Sequence, residues 1–147
     1  MMYNLTVIAH LLCAIVFIGV VFFEVLILEG IRPYLPEKYM ALVEEGIHVR
    51  ARKVMPYFVA VLFLTGISMG YFHMSLLNWS PFSNSFGTLL FVKMLLAFSV
   101  LVHFILAMKH SVCGSMSSKR FKYTHYSVFF HMIAIVLLAK LMFFISW

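Results

Sequence analysis

The chain has 147 residues, of which 64% are hydrophobic and only 11% charged, with a formal net charge of +6. Soluble domains carry about 45–50% apolar and about 25% charged residues, so this composition excludes a water-soluble globular protein. The basic balance does not point to nucleic acid, because the Lys and Arg residues gather at the ends of apolar runs. Anionic lipid head groups and the positive-inside rule account for them there.

Four apolar runs follow one another, each long enough to supply the about 20 helical residues that cross a hydrocarbon layer about 30 Å thick. The first covers about residues 5–28. Met1-Met2-Tyr3-Asn4 ahead of it has no basic residue, so a retained helix is expected here and not a cleaved signal. Glu29-Gly30-Ile31-Arg32-Pro33 should stop it with charge and proline. Residues 36–53 alternate Glu, Lys and Arg with Met, Leu, Val and Ile in a helical pattern, which predicts a helix along the membrane surface. The second span should run over residues 54–72, with Pro56 in its first turn. A polar loop, residues 76–86, precedes a third span at 87–108. A basic loop, residues 109–122, precedes a fourth span at 123–147. The fold expected is all-α, an integral membrane four-helix bundle forming a single domain over residues 1–147 with no soluble module.

Orientation follows from the basic residues. Nine of the eleven Lys and Arg fall in two segments, Arg32 to Lys53 and Lys109 to Lys122, while the loop between spans two and three has none. The positive-inside rule places both basic segments in the cytoplasm and both termini outside, in a multi-pass protein of a bacterial cytoplasmic membrane. Trp79 and Trp147 then fall near the outer interface, as aromatic belts do. Cys13 and Cys113 lie at different depths, which argues against a disulfide. The absence of Cys-x-x-Cys-His argues against covalently attached haem.

Ionisable side chains within spans are costly and point to function. Here they are His10, Glu24, Lys93, His103, His131 and Lys140, with His73 and His125 near span ends. At about 1.5 Å per residue, His10, Lys93 and Lys140 lie about 7–11 Å below the outer boundary, while Glu24 and His103 lie about 6–8 Å and His131 about 12 Å from the inner one. His10 and Glu24 are fourteen residues apart, nearly four turns, so they share a face, with Ala14, Phe17 and Val21 between them. Gly66 and Gly70 form a Gly-x-x-x-Gly expected to serve helix packing. Lys140 is expected to snorkel, and His110 and His125 to sit at interfaces.

Bundle cores hold haem b between facing histidines, since neutral imidazole is a good axial ligand for haem iron. His103 and His131 differ in depth by only about 5 Å, so they are the candidate axial pair, whereas His10 and His103 are about 16 Å apart along the membrane normal, and His10 as a haem or metal ligand needs another partner on the outer side, for which His73 is the candidate. Lys93 and Lys140 on the outer side and Arg52 or Lys53 on the inner side are candidates for the propionates. The plainer role for any one of these histidines is a hydrogen bond between helices. Copper is the other candidate metal, since thioethers suit Cu(I). The eleven methionines are dispersed, however, which leaves His73-Met74, with His10, as the candidate copper ligands.

Three segments carry a family resemblance: HLLCAIVFIGVVFFEV from His10, RARKVMPYFVAVLFLTG from Arg50 and LLFVKMLLAFSVLVHF with Lys93 and His103. With the closing LLAKLMFFISW, they resemble small four-helix members of the copper-resistance CopD-like superfamily, which is distantly similar to the HemJ type of protoporphyrinogen oxidase. The resemblance implies a membrane redox or metal protein, haem b-binding on the HemJ side. His10 and Lys93 match the family's first-helix His and third-helix Lys, and its Arg falls on Arg50 or Arg52. Where HemJ-type enzymes carry Asn-Glu-x-Pro at the fourth helix, this chain has Tyr123-Thr124-His125-Tyr126.

Three functions are therefore expected in order. The first is a haem b-binding redox protein, transferring electrons or oxidising a membrane-associated porphyrinogen or quinol, with a quinone or a redox protein as partner. The second is a CopD-type copper uptake or tolerance protein. The third is a structural subunit of a respiratory complex. The residues leave open whether the protein is an enzyme. They also leave open whether it pairs with itself, because no motif marks an interface.

Overall fold

The computed structural model describes residues 2–76, 84–112 and 118–145, without the side chains of 73–76, 110–112 and 118–121. Trp79, Cys113 and Trp147 lie outside the described residues. All secondary structure among the described residues is helical. Four of these helices are long and apolar enough to cross a membrane. The chain divides into two compact units, residues 1–73 and 74–147, and each contains one antiparallel helix pair.

In the first unit, α1 covers Met2–Phe22 and passes into a π-helical segment, Phe23–Leu28, then a short helix, Glu29–Ile31, and a 3-10 turn, Arg32–Tyr34. The expected stop at Gly30 to Pro33 is therefore displaced. Pro33 sits early in the 3-10 turn, where a missing N–H costs nothing. The helical path ends at Leu35, with φ −115° and ψ 136°. Leu35 precedes Pro36, whose ring clashes with a helical neighbour and drives it into the extended region.

The second helix, α2, runs without interruption over Glu37–Leu76, 40 residues. At about 1.5 Å per residue it is about 60 Å long, twice the hydrocarbon thickness. The sequence suggested a surface helix and a separate span beginning at 54, with Pro56 in the first turn. The two are one helix, and Pro56 lies in its interior. Nothing between Lys53 and Val54 breaks propagation, and each further residue adds a hydrogen bond. Pro56 removes a single bond, the one its N–H would give to the Arg52 carbonyl.

Two contacts fix the hairpin ends of this unit. Tyr3 stacks on Phe72 with ring centroids 4.7 Å apart. At the other end, Arg32 pairs with Glu29 at 2.9 Å and also with Glu44 of α2. Between them Cys13, Phe17, Val21, Glu24, Val25 and Leu28 form the buried face of the first helix. This is the face the sequence assigned to His10 and Glu24, shifted within its last turns by the π-helical segment.

In the second unit, α3 covers Ser85–Val112 and α4 Ser118–Leu141. Asn84 caps α3: its side-chain oxygen accepts the Gly87 N–H at 2.7 Å. Phe86 meets Phe143 edge-on, with centroids 5.7 Å apart, and closes this hairpin. Lys119, Arg120 and Lys122, expected in a loop, belong to α4. The helix ends at Leu141, not at the C-terminus, so Lys140 falls in its last turn, exposed. That position suits a snorkelling ammonium beside the negative end of the helix dipole. Leu5, Leu11, Leu64, Phe98, Phe130 and Leu137 are more than half exposed, which fits helices solvated by lipid.

Candidate functional site

In the first unit His10 is seated against α2. Its Nδ1 lies 3.0 Å from the Leu62 carbonyl and 3.1 Å from Thr65 Oγ1. A carbonyl only accepts, so Nδ1 carries the proton and Nε2 the lone pair. The Thr65 hydroxyl is within 2.7 Å of the Val61 carbonyl and 3.0 Å of the Leu62 carbonyl, to which it donates, and it therefore accepts from His10. Gly66 makes room for the ring, because a Cβ there would stand 3.2 Å from His10 Cε1. The Gly-x-x-x-Gly was expected to let helices approach. At Gly66 what it admits is an imidazole; at Gly70 a Cβ would meet nothing within 4 Å.

In the second unit His103 and His131 come together, as their depths suggested, with ring centroids 5.6 Å apart and planes inclined by 47°. Each Nδ1–H donates to a carbonyl one turn back on its own helix: His103 to Ser99 and His131 to Ser127, both at 2.7 Å. Each Nε2 then faces a hydroxyl of the other helix. Ser127 Oγ donates to His103 Nε2 at 3.3 Å, and Ser99 Oγ to His131 Nε2 at 3.2 Å. Both serines thus use carbonyl and hydroxyl together, and the four residues form a closed set. A carbonyl cannot pass on a proton, so each histidine ends its own short chain and the set is not a proton wire.

This arrangement bears on the haem candidates. An iron-bound Nε2 has no lone pair left for a hydroxyl, and here both Nε2 atoms accept one. A porphyrin between the rings would break both contacts and part α3 from α4. His103 and His131, as packed, do not fit a bis-axial haem pair. His10 has one feature of a single axial ligand: its ring is held by a backbone carbonyl through Nδ1, which fixes the tautomer and puts the lone pair on Nε2.

The remaining candidates are more scattered. Arg52 hydrogen-bonds locally to the His48 carbonyl at 3.3 Å. It lies ten residues before Leu62 on α2, about 15 Å along the axis, and so is not beside His10. Lys93 is part-buried on α3 in the second unit. The side chains of His73 and Met74, and hence the copper candidate they make with His10, lie outside the described residues. Among the described residues, no three His, Cys, Asp or Glu side chains gather as a metal site.

Sequence reasoning missed Thr65 and the two serines. The signal was present: Ser99 precedes His103 by four residues, as Ser127 precedes His131. Two Ser-x-x-x-His steps on neighbouring antiparallel helices place each serine level with the opposite histidine.

No protein-family model, curated protein or solved structure matches this chain.

Proposed function

We propose that the protein is a haem b-binding redox protein of the bacterial cytoplasmic membrane, with His10 as an axial ligand. The observation that carries this is the seat of His10: Nδ1–H held by the Leu62 carbonyl and Thr65 hydroxyl, Gly66 cleared for the ring, and the tautomer thereby set with its lone pair on Nε2. An ionisable ring inside a span is by default a candidate for function. Bound haem supplies a one-electron couple. The residues of the chain orient the ligand, fix its tautomer and exclude water from around it with apolar helix surface. The resemblance of the His10 and Lys93 segments to CopD-like and HemJ-type proteins supports the same reading.

The basic residues support an orientation with Arg32 to Lys53 and Lys109 to Lys122 on the cytoplasmic side and both termini outside. The test of the ligand assignment is the haem content of detergent-purified variants. His10→Ala should lose haem, while His103→Ala and His131→Ala should retain it. Retention in His10→Ala, with loss in either of the other two, would return the ligands to the α3–α4 pair.

A further inference from the structure

The basic residues of the first unit are not used alike. Arg32 is taken by Glu29 and Glu44, and Arg52 gives its Nε–H to the His48 carbonyl. Arg50 and Lys53 are exposed, and among the described residues neither makes a hydrogen bond or an ion pair. At about 100° per residue, Arg50, Lys53, Tyr57, Val61 and Leu64 fall within about 80° of one another around α2. All five are exposed, Tyr57 at 75% and Leu64 at 68%. Glu37, Glu44 and Glu45 lie outside this stripe by the same rotation, and Glu24, at the depth of the two cations, is buried.

Depth separates the two cations from a solvated charge run. Tyr3 against Phe72, His10 against Gly66 and Arg32 against Glu44 set the register of the hairpin. In that register Lys53 is level with Phe23 and Arg50 with Leu26, both of them exposed apolar side chains. Cations beside exposed apolar surface mark the edge of the hydrocarbon, next to the plane of the lipid phosphates. Leu64 is eleven residues beyond Lys53. That is about 16 Å along the axis, against about 15 Å for the hydrocarbon of one leaflet.

We infer that Arg50 and Lys53 bind the phosphate of an anionic phospholipid, whose acyl chain follows Tyr57, Val61 and Leu64. The stripe has the order of such a molecule: two unneutralised cations, then apolar surface for the length of one chain. The Arg50 guanidinium offers a phosphate two parallel N–H donors, and the Lys53 ammonium adds a point charge. A second copy of the chain fits worse. Copies share one direction across the membrane, so an isologous contact on this stripe would gather four cations at one depth. Haem at His10 does not enter the argument, so the two proposals stand or fail separately.

The test is native mass spectrometry of the full-length protein in detergent, titrated with phosphatidylglycerol and, separately, with phosphatidylcholine of the same chains. Phosphatidylglycerol should bind at least tenfold more tightly. Arg50→Gln and Lys53→Gln should each weaken it about fivefold, and the two together about 25-fold, the factor that about 1 kcal/mol per cation gives. Phosphatidylcholine binding should not change. Glutamine keeps the helix propensity of both residues, which circular dichroism verifies. Lys38 and Lys109 are also exposed, so Lys38→Gln with Lys109→Gln removes the same charge elsewhere. That variant should keep phosphatidylglycerol binding within twofold. Equal affinity for the two lipids, or an equal loss in the Lys38 and Lys109 variant, would overturn the proposal and leave net charge alone. Wild-type dimers that the Arg50 and Lys53 variant converts to monomers would also overturn it and assign the stripe to a second copy.

Discussion

The hydroxyl of Ser127 on α4 lies 3.3 Å from Nε2 of His103 on α3, while the carbonyl of the same serine holds His131 at 2.7 Å. One residue thus fixes both histidines, and Ser99 does the same from the other helix. Each imidazole is fully engaged without a metal, which is why the pair reads as a tie between α3 and α4.

That tie has a measurable size. Side-chain hydrogen bonds between membrane helices average about 0.6 kcal/mol. Ser99→Ala should lower stability by about that amount, and Ser99→Ala made in a His131→Ala background should cost markedly less. A double-mutant cycle by denaturant titration in detergent micelles measures the coupling. Strict additivity of the two changes would show that the cross-helix bond contributes nothing.

Gly66→Ala places a methyl 3.2 Å from His10 Cε1, closer than nearly all real Cβ contacts, so the ring must shift. Thr65→Val removes one of the two acceptors of Nδ1–H while keeping the shape. Both should weaken haem retention, Gly66→Ala more than Thr65→Val, read as haem per protein after extended washing. Unchanged retention in both would separate the seat of His10 from haem binding.

Pro56 interrupts the hydrogen-bond ladder of α2 once. Interior proline costs a helix roughly 3 kcal/mol. Pro56→Ala restores the N–H and should stabilise the first unit by about 1–3 kcal/mol. Thermal unfolding followed by circular dichroism checks this. A loss of stability would mean that the packing of α1 on α2 depends on the proline.

Arg32 joins Glu29 to Glu44, but its side chain is 34% exposed. Exposed ion pairs contribute about 0–1 kcal/mol and are screened by salt. Arg32→Ala should therefore cost at most about 1 kcal/mol at low salt, with the difference shrinking in 1 M NaCl. An effect of the same size in both conditions would point to packing by the side chain's stem.

The four helices were legible because length and apolarity alone select membrane spans, and lipid offers no alternative to helix. Their limits were less so. Proline reads as a boundary, yet Pro33 and Pro56 lie within helical segments, and the break comes at Leu35 because of the residue that follows it. The candidate histidines were found by the cost of placing them in a span. Their partners were not, since Ser99, Ser127 and Thr65 are ordinary in a membrane helix until the antiparallel register sets them level with an imidazole. The same register seats His10 against Gly66, a contact between residues 56 positions apart that no local pattern announces. The π-helical segment that carries Glu24 leaves no composition signal, because Phe23–Leu28 reads as any other apolar turn.

The most direct measurement is the absorption spectrum of the detergent-purified protein, expressed with ample haem supply, oxidised and then dithionite-reduced, with a pyridine haemochrome assay. A haem-binding protein gives a Soret band, sharpened α and β bands on reduction and a haem b haemochrome in stoichiometric amount. A colourless protein with no haemochrome would contradict the proposal and leave the polar seat of His10 as a structural contact between α1 and α2.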